Sequence, residues 1–385
     1  MIQRTLTQRL LQMAKYFPIV TLTGPRQSGK STLLKQTFPN YSYVSLEDID
    51  MREFAMADPH GFLATYSSRV IIDEAQRVPS LLSYLQTHVD SSDETGLYLL
   101  AGSQNFQLME SVNQSLAGRT AILRLLPFSH IEMARGGILP ESVNEEIFTG
   151  GYPRIFDKGI PPTDYYSFYL QTYVERDVRQ LKNIGDLSRF VRFLKLCAGR
   201  IGNLLNLSSL ANECGISVGT ASSWLSILEA SYICYRLQPD WNNFAKRLVK
   251  TPKLYFYDTG LACSLLGITH AEQLDTHFLR GGLFENMVVN AFVKQGWNAG
   301  RETDLRFWRD SQGNEVDLLV YDGDQPSAYE IKSGATFNAD FFTTLVKWSA
   351  LSQTPVERLN VIYGGDTSMH TTKGQLQAWR TFAEA

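Results

Sequence analysis

The segment Gly24–Ser31 has the residue types and spacing that most directly imply chemistry. It fits the pattern G-x-x-x-x-G-K-[ST] in full, and it stands between a predicted strand, Ile19–Thr23, and a predicted helix, Lys30–Phe38. A glycine-rich turn in this setting points backbone N–H groups at phosphate oxygens, and the N-terminus of the helix adds partial positive charge. The segment therefore predicts a binding site for the phosphates of a nucleotide.

The last two side chains of this loop have separate predicted roles. Lys30 is expected to neutralise the β- and γ-phosphates, and the Ser31 hydroxyl is expected to ligate magnesium. ATP and Mg²⁺ are thus the predicted cofactors. The predicted nucleotide contacts, all from the loop and the start of its helix, are Gly24, Pro25, Arg26, Gln27, Ser28, Gly29, Lys30, Ser31 and Thr32.

Two consecutive acids, Asp73 and Glu74, follow the apolar strand predicted at Val70–Ile72. Hydrolysis of a phosphoanhydride needs an aspartate that orients magnesium and a glutamate that polarises the attacking water. We therefore predict that Asp73 contacts the metal and that Glu74 acts on the water. Ser103, just after the strand predicted at Leu97–Ala101, is a further candidate for contact with the γ-phosphate or with that water.

The elements that must position these side chains alternate between strand and helix. Short apolar runs predict the strands, and helical periodicity predicts the segments between them. This order predicts a mainly parallel sheet covered by helices, in which ligands bind at the carboxyl ends of the strands. The remaining predicted elements are a strand at Tyr41–Leu46, helices at Ile49–Ala57, Ser80–Val89 and Phe106–Leu116, and a strand at Ala121–Leu125.

The stretch from about residue 17 to residue 130 resembles the AAA+ superfamily of P-loop ATPases. The resemblance implies that Arg119, at the end of a predicted helix, reaches the nucleotide of a neighbouring subunit, so that hydrolysis depends on assembly. A surface arginine that complements the helix dipole is the alternative. Arg154, which follows the turn Gly150–Pro153, is a candidate lid arginine that contacts phosphate.

The middle of the chain has the pattern of a helix-turn-helix. A short helix from Leu207 ends at the turn glycine Gly215, a second helix with many small and hydroxyl residues covers Val218–Leu228, and Ile233–Leu237 is a candidate wing strand. Between residues 175 and 253 there are twelve Lys or Arg residues against six acids, so a local basic face is expected.

The second helix of this segment holds no Lys or Arg, so the sequence does not indicate base reading by arginine. Contacts to the phosphate backbone of DNA by residues such as Lys246, Arg247 and Lys250 are predicted instead, with steep dependence on salt. A structural role, as a contact between domains or subunits, is the alternative.

Acids and a lysine recur near the end of the chain. Glu285 lies on a predicted helix, Asp317 lies in a predicted strand, and Glu330 and Lys332 share one face of the next strand. This pattern resembles the PD-(D/E)XK restriction-endonuclease-like fold. The resemblance implies that the three acids bind a divalent metal and that Lys332 acts on the water or the leaving charge. A nuclease-like domain that binds without cutting, or an unrelated α/β domain, are the alternatives.

Taken whole, the chain resembles a group of prokaryotic ATPases that pair an AAA-type N-terminal domain with a conserved, largely uncharacterised C-terminal region. The predicted fold class is α/β with four segments. These are an AAA+-like P-loop domain (1–130), a lid or linker (131–164), a helical, winged-helix-like segment (165–252) and a restriction-endonuclease-like α/β domain (253–385).

The bulk properties of the 385 residues are those of a globular chain, with 44% hydrophobic and 19% charged residues. The net charge of −3 means that any surface that binds nucleic acid must be local. The four cysteines have no zinc-ligand spacing and are predicted to be reduced core residues. No apolar run approaches the length of a membrane helix, so we expect no membrane contact and a cytoplasmic location.

These features lead to one main hypothesis and two alternatives. The main hypothesis is an ATPase, active as a homo-oligomer, that couples hydrolysis to DNA binding and to metal-dependent cleavage of DNA. The first alternative is an ATP-controlled switch or scaffold in which the nuclease-like domain is a docking surface. The second alternative is a motor that remodels proteins.

Overall fold

The computed structural model describes residues 2–103, 112, 115–173, 186–240 and 249–384. The chain divides into two compact units. The first unit consists of Met1–Phe128, Ala230–Tyr232 and Lys294–Arg301, and the second consists of Ser129–Glu229, Ile233–Val293 and Glu302–Ala385. The predicted lid, the helix-turn-helix and the C-terminal segment therefore all fall largely in the second unit.

The first unit is built on a parallel sheet. Its strands are β1 Ile19–Thr23, β2 Ser42–Ser45, β3 Val70–Asp73, β4 Tyr98–Gly102 and β5 Thr120–Arg124. The order across the sheet is β2-β3-β4-β1-β5, and every neighbouring pair is parallel. Each strand lies within one or two residues of its predicted position, so the prediction of a parallel α/β domain is confirmed.

Alternate residues of these strands are buried on opposite faces of the sheet. Ile19 and Leu100 belong to the hydrophobic core on one face, whereas Val20, Ile71 and Leu99 belong to the core on the other face. A sheet buried on both faces requires nearly continuous apolar strands. This requirement explains why the strands appear in the sequence as unbroken apolar runs.

Helices cover this sheet, and two of them begin at a capping aspartate. The helices are α1 Thr7–Met13, α2 Lys30–Thr37, α3 Ile49–Ala57, α4 Pro59–Thr65 and α5 Leu81–Asp90. Asp48 accepts hydrogen bonds from two N–H groups in the first turn of α3, and Asp58 does the same for one in α4. The prediction of α2, α3 and α5 is confirmed. The helix predicted at Phe106–Leu116 lies almost wholly outside the described residues.

Two later parts of the chain complete the first unit. The hydroxyl group of Tyr232 lies 2.9 Å from that of Thr23, at the end of β1. The ammonium group of Lys294 donates a hydrogen bond of 2.9 Å to the carbonyl oxygen of Phe128. The first unit is therefore not a continuous stretch of the chain.

The second unit is rich in helices. From Ser129 onward, the described helices are α6 His130–Arg135, α7 Val143–Thr149, α8 Pro153–Lys158, α9 Pro162–Thr172, α10 Leu187–Ala198, α11 Leu207–Cys214, α12 Val218–Ala230, α13 Thr259–Leu265, α14 Arg280–Asn298 and α15 Thr343–Ser352. Ser129 and Ser142 form capping boxes with Glu132 and Glu145 at the starts of α6 and α7.

A mixed sheet of eight strands completes the second unit. Its strands are β6 Cys234–Pro239, β7 Lys253–Phe256, β8 Asp304–Arg309, β9 Glu315–Asp322, β10 Gln325–Lys332, β11 Leu359–Tyr363, β12 Met369–Thr371 and β13 Gly374–Ala378. They are arranged in the order β12-β13-β11-β10-β9-β8-β6-β7. Strand β9 is antiparallel to both β8 and β10, and β10 is parallel to β11. The strand predicted to hold Asp317 forms as β9, and the strand predicted to hold Glu330 and Lys332 forms as β10.

The two helices predicted for the helix-turn-helix form as α11 and α12, and the DNA-binding role of this motif stays a prediction. Gly215 follows α11 with φ of +64°, a left-handed conformation that glycine adopts at little cost. The hydroxyl group of Ser217 then accepts a hydrogen bond of 3.0 Å from the N–H of Thr220 in α12. The candidate wing strand forms as β6, which pairs antiparallel with β7 and also parallel with β8. It therefore belongs to the large sheet as well.

The buried carboxylate of Asp258 joins two parts of the second unit that are distant in sequence. It accepts hydrogen bonds from the N–H of Gly151 at 2.8 Å, the hydroxyl group of Tyr166 at 2.6 Å and the N–H of Leu261 at 3.0 Å. The turn at 150–153, which the sequence assigns to a lid or linker, is thereby tied to the start of α13.

Glycine is required on both sides of this carboxylate. A Cβ atom at Gly150 would lie 2.3 Å from the Tyr166 hydroxyl oxygen, and one at Gly260 would lie 2.5 Å from the same side chain. Gly150 also has a positive φ of +65°. Gly150 and Gly260 are therefore required by close packing against Tyr166.

All four cysteines are buried and unpaired by disulfides, as predicted. Burial raises the pKa of the Cys197 thiol and of the Cys263 thiol, so both are inert apolar side chains at neutral pH. Among the described residues, no helix has both the length and the apolar character needed to cross a membrane.

Replacement of Asp258 by alanine is expected to lower the free energy of unfolding of the second unit by about 3 kcal/mol, because it leaves three buried donors without an acceptor. Urea denaturation measures the effect. The matched control is Asp157→Ala, because the Asp157 side chain is 68% exposed. An equal effect of the two replacements would show that the Asp258 contacts do not stabilise the fold.

Candidate functional site

The loop between β1 and α2 has the backbone conformation of a tight turn around a ligand. Gly24 and Gly29 have φ of +146° and +93°, which favours glycine at both positions. A Cβ atom at Gly24 would also lie 2.1 Å from the carbonyl oxygen of Leu125. Gly29 is the N-cap of α2 and provides no side-chain cap, so the first N–H groups of this helix are available to an anion.

The ammonium group of Lys30 spans this loop. It donates hydrogen bonds to the carbonyl oxygens of Gly24 at 2.9 Å and Pro25 at 2.7 Å. Burial lowers the pKa of Lys30 to about 8, although the charges of Glu74 and Asp73 act in the opposite direction. Because both acceptors are neutral carbonyls, a charged phosphate oxygen would bind the ammonium group more strongly.

Ser31 and Asp73 lie in direct contact. The Ser31 hydroxyl donates a hydrogen bond of 2.6 Å to Asp73 Oδ2, and the Tyr43 hydroxyl donates one of 2.8 Å to the same oxygen. The N–H of Glu74 donates to the other carboxylate oxygen, Oδ1, at 3.0 Å. The carboxylate of Asp73 is therefore fixed from both sides, at the carboxyl end of β3.

Glu74 has an unusual backbone conformation. Its φ of +53° is left-handed, which non-glycine residues adopt at a cost and which occurs often at functional sites. The hydroxyl group of Ser103 lies 3.3 Å from both carboxylate oxygens of Glu74, and the Gln76 amide donates to one of them. The structure thus brings together Glu74 and Ser103, which the sequence predicts as site residues.

These residues fit a magnesium nucleotide. A hydroxyl group and a carboxylate that touch each other offer the hard oxygen ligands that Mg²⁺ prefers. The buried hydroxyl group of Ser28, inside the loop, has no hydrogen-bond partner among the described residues. A phosphate oxygen could satisfy it.

Arg119 lies at the opposite edge of the sheet. Its carbonyl oxygen accepts a hydrogen bond from the N–H of Ile19, at the amino end of β1, and its guanidinium group forms two bonds to Asp90, at 2.6 and 2.8 Å. The loop follows the carboxyl end of β1, about 16 Å away for a strand of this length. Arg119 therefore cannot contact the nucleotide of its own subunit, and its action on a neighbouring subunit stays a prediction.

Arg154 is exposed in α8, within the second unit. Its contact with phosphate stays a prediction. Of the basic residues predicted to contact DNA, Lys250 is exposed, and Lys246 and Arg247 lie outside the described residues.

A second cluster of charged residues lies within the second unit, where β7 packs against α14. The side chain of Asn286 in α14 forms two hydrogen bonds of 2.7 Å, with the N–H and with the carbonyl oxygen of Phe256. These bonds hold β7 against the helix. As a result, the neighbouring side chain Glu285 faces Lys253 and Tyr255 of β7, and the Tyr255 hydroxyl donates to Glu285 Oε1.

Three acids of this cluster lie within reach of one another. The ligand atoms of Glu285, Glu315 and Asp317 are all within 4.8 Å of each other, a spacing that would suit a metal ion. The sequence predicts Glu285 and Asp317 as ligands but not Glu315. Burial raises the pKa values of Glu285 and Asp317, although Lys253 acts in the opposite direction.

The predicted ligand Glu330 is also buried, but it is not one of these three acids. It forms an ion pair with Lys332, which confirms that the two side chains share a face of β10. Burial raises the pKa of Glu330, with a further contribution from the charge of Asp317. Asp317 Oδ2 accepts a hydrogen bond of 2.7 Å from the N–H of Ile331.

The ammonium group of Lys253 lies among the three acids. It is 2.8 Å from Glu285 Oε1, 2.5 Å from Glu315 Oε1 and 3.9 Å from Asp317 Oδ1. Burial disfavours its charge, but the carboxylates together outweigh that penalty, so the pKa of Lys253 lies above its usual value. In this arrangement the cluster does not fit a metal ion, because a cation already lies within contact of the carboxylates.

Sequence reasoning missed four residues of these two sites: Tyr43, Gln76, Lys253 and Glu315. Gln76 and Glu315 stand two residues from predicted site residues, so their proximity in sequence was a usable signal. Tyr43 and Lys253 offer no such signal, because each reaches its site from a strand that is distant in sequence.

Three family models match successive parts of the chain. Residues 16–134 match the model described as an AAA domain. Residues 140–272 match a domain of unknown function (DUF8612), and residues 280–381 match another (DUF4143). The parallel sheet and its loop therefore match an AAA-type P-loop domain, and the nuclease-like character of the C-terminal segment stays a prediction.

Two curated relatives are uncharacterized proteins of Mycobacterium tuberculosis and Mycobacterium bovis. Each is 28% identical to this chain over 369 residues, which cover 94% of this chain and 80% of the relative. The similarity extends along nearly the whole chain, and the names of these relatives assign no activity.

Among solved structures, the chain is similar to the Walker-type ATPase PABY2304 of Pyrococcus abyssi, with 15% identity and a TM-score of 0.46 over 68% of this chain and 94% of that one. It is also similar to the ORC2 protein of Aeropyrum pernix in its ADP form, with 13% identity and a TM-score of 0.31 over 60% of this chain and 84% of that one. At these TM-scores the similarities do not extend the assignment beyond the family match.

Proposed function

We propose that this protein is a magnesium-dependent ATPase of the AAA+ type whose hydrolysis is coupled to DNA binding by the second unit. One observation supports the proposal of a magnesium-dependent ATPase. Lys30, Ser31, Asp73 and Glu74 come together at the carboxyl edge of the parallel sheet, beside a glycine loop with free helix N–H groups. This combination is suited to a triphosphate and to the water that attacks it.

Each residue has a distinct role in this proposal. The loop amides and Lys30 bind the phosphates, and Ser31 and Asp73 hold magnesium, which neutralises charge on the phosphate oxygens when it is bound. Glu74 accepts a proton from the attacking water, with its carboxylate oriented by Ser103 and Gln76. Tyr43 positions Asp73 through its hydrogen bond to Oδ2.

The role of Lys30 in ATP binding and the role of Glu74 in hydrolysis can be separated by substitution. Lys30→Ala is expected to weaken ATP binding at least tenfold, because the phosphates lose their buried counter-charge. Glu74→Gln is expected to keep ATP affinity within about threefold while hydrolysis falls at least a hundredfold. Calorimetric titration measures the affinity for ATP, and an assay of phosphate release measures hydrolysis.

Lys15→Ala is the control for this pair, because Lys15 is exposed and lies in the same unit. Normal turnover by Glu74→Gln would remove the role of Glu74 on water. Normal ATP binding by Lys30→Ala would overturn the nucleotide site itself.

We also propose that the active form is a homo-oligomer in which Arg119 acts on the nucleotide of a neighbouring subunit. Its place at the edge of the sheet opposite the loop, on the surface, supports this role. Arg119→Ala is then expected to lower turnover at least tenfold without a change in ATP affinity. Unchanged turnover in a sample that sedimentation shows to be oligomeric would contradict the role.

DNA binding by the helix-turn-helix has support from the charges around it. Helix α12 exposes Ser222 and Ser226, small side chains that allow close approach to a backbone, and α10 exposes Arg192 and Lys195. The antiparallel pair β6 and β7 follows α12 in chain order, as a wing does. Such a surface would bind phosphates without reading bases.

Removal of two of these charges should reduce the salt dependence of DNA binding. In the Arg192→Ala and Lys195→Ala double variant, the slope of log Kd against log salt is expected to fall by about 2, because each phosphate contact contributes about one counterion. Fluorescence anisotropy with duplex DNA measures it. The control is Lys158→Ala, an exposed lysine on α8, and an unchanged slope would remove α10 from the interface.

The arrangement of Lys253 favours one form of the proposal over another. Metal-dependent cleavage of DNA by Glu285, Asp317, Glu330 and Lys332 would require the Lys253 ammonium group to leave the cluster. We therefore propose that the nuclease-like segment binds DNA without cutting it while Lys253 is in place. If DNA has no effect on ATPase rate at low salt, the ATP-controlled switch or scaffold becomes the better proposal.

A further inference from the structure

We propose that Lys253 is the resident cation of the cluster formed by Glu285, Glu315 and Asp317, and that this cluster is a latent divalent-metal site which the lysine keeps closed. The inference deepens the proposed role of the C-terminal segment and rests on the cation preference of that cluster. It is independent of ATP hydrolysis.

The position of the ammonium group is the first argument. Lys253 Nζ is within 4 Å of a carboxylate oxygen of each of the three acids, and these are the acids whose ligand atoms lie close enough to share an ion. Two cations in contact with the same carboxylates would repel each other strongly at this separation. A metal ion and the charged lysine therefore cannot occupy the cluster together.

The charge balance is the second argument. Four acids, Glu285, Glu315, Asp317 and Glu330, are offset by Lys253 and by two further bases. Glu315 also pairs with Arg309 at 2.9 Å, and Glu330 pairs with Lys332. With Lys253 in place, these four acids and three bases have a net charge within one unit of neutral. The remaining negative charge attracts a divalent ion only weakly. Without Lys253 the excess of negative charge would double.

An unpartnered oxygen is the third argument, and it is independent of these ion pairs. Glu330 is 6% exposed, and its Oε2 atom has no hydrogen-bond partner among the described residues. Glu330 directly precedes Ile331, whose N–H donates to Asp317 Oδ2, so it lies beside the cluster. A buried carboxylate oxygen without a partner is the kind of group that a metal ion or its bound water would satisfy.

The fold holds Lys253 in this place from both sides of its strand. Lys253 lies in β7 and forms an isolated bridge with Leu204 on one side. On the other side, Lys253 pairs with Leu237 of β6, and Asn286 of α14 binds the backbone of Phe256 in the same strand. Lys253 is 1% exposed, so its ammonium group is a built part of the interior and not a mobile surface charge.

The test is replacement of Lys253 by methionine, which removes the charge and keeps most of the length of the side chain. Without metal, the variant should melt at a lower temperature than the native chain, because the acids lose their counter-ion. Added Mn²⁺ should raise that melting temperature and should not do so in the native chain. Calorimetric titration of the full-length protein without nucleotide should show Mn²⁺ affinity at least tenfold tighter in Lys253→Met.

Two controls separate this site from others on the protein. The Lys253→Met and Asp317→Asn double variant should lose the added Mn²⁺ binding, which identifies the cluster as its location. Lys347→Met, at an exposed lysine of the same unit, should behave as the native chain does.

The outcomes distinguish the inference from the proposal beneath it. If native chain and Lys253→Met bind Mn²⁺ equally well, and Asp317→Asn abolishes binding in both, the cluster is a metal site and Lys253 does not close it. If folded Lys253→Met binds no Mn²⁺, the cluster is not a metal site. Both the inference about Lys253 and the metal preference on which it rests are then wrong.

A measurement on the native chain covers the case in which Lys253→Met does not fold. Anomalous diffraction from crystals soaked in Mn²⁺ and a non-hydrolysable ATP analogue should show a peak beside Ser31 and Asp73 and none among Glu285, Glu315 and Asp317. The first peak is the internal control for metal access, and a peak among the three acids would overturn the inference.

Discussion

The parallel arrangement of β1, β3 and β4 is the constraint on which the nucleotide site depends. Parallel strands end at the same edge of a sheet, so the residues that follow each strand must meet there. In the order β3-β4-β1, Ser103 after β4 lies between the acids after β3 and the loop after β1. The contact of 2.6 Å between Ser31 and Asp73, 42 residues apart, follows from this arrangement.

Much of the first unit could be predicted from the sequence because its signals are local. Lys30 and Ser31 belong to one continuous motif, and Asp73 directly ends an apolar strand, so neither assignment required knowledge of the fold. Tyr43 could not be predicted, because its contact with Asp73 depends on how β2 pairs with β3. Lys253 escaped prediction for the same reason, since it meets Glu285 only where β7 packs on α14.

Two motifs of the second unit show how a local pattern can be compatible with more than one role. The glycines at 150 and 151 are suited to a flexible lid, and Asp258 could have been a solvated acid. In the structure they form one buried contact, in which glycine allows the approach and the carboxylate accepts the turn N–H. Glycine required by close packing and glycine required by motion have the same appearance in a sequence. The difference becomes visible only with the partner side chain, Tyr166.

The discontinuous make-up of the first unit bears on how the protein forms during synthesis. Domains generally fold as units, with N-terminal domains first, as they leave the ribosome. Here Thr23, at the end of the strand that leads into the nucleotide loop, contacts Tyr232, and Phe128 contacts Lys294. The first unit is therefore complete only after the segment Lys294–Arg301 has been synthesised. An incomplete, exposed intermediate of that duration is a natural substrate for chaperones.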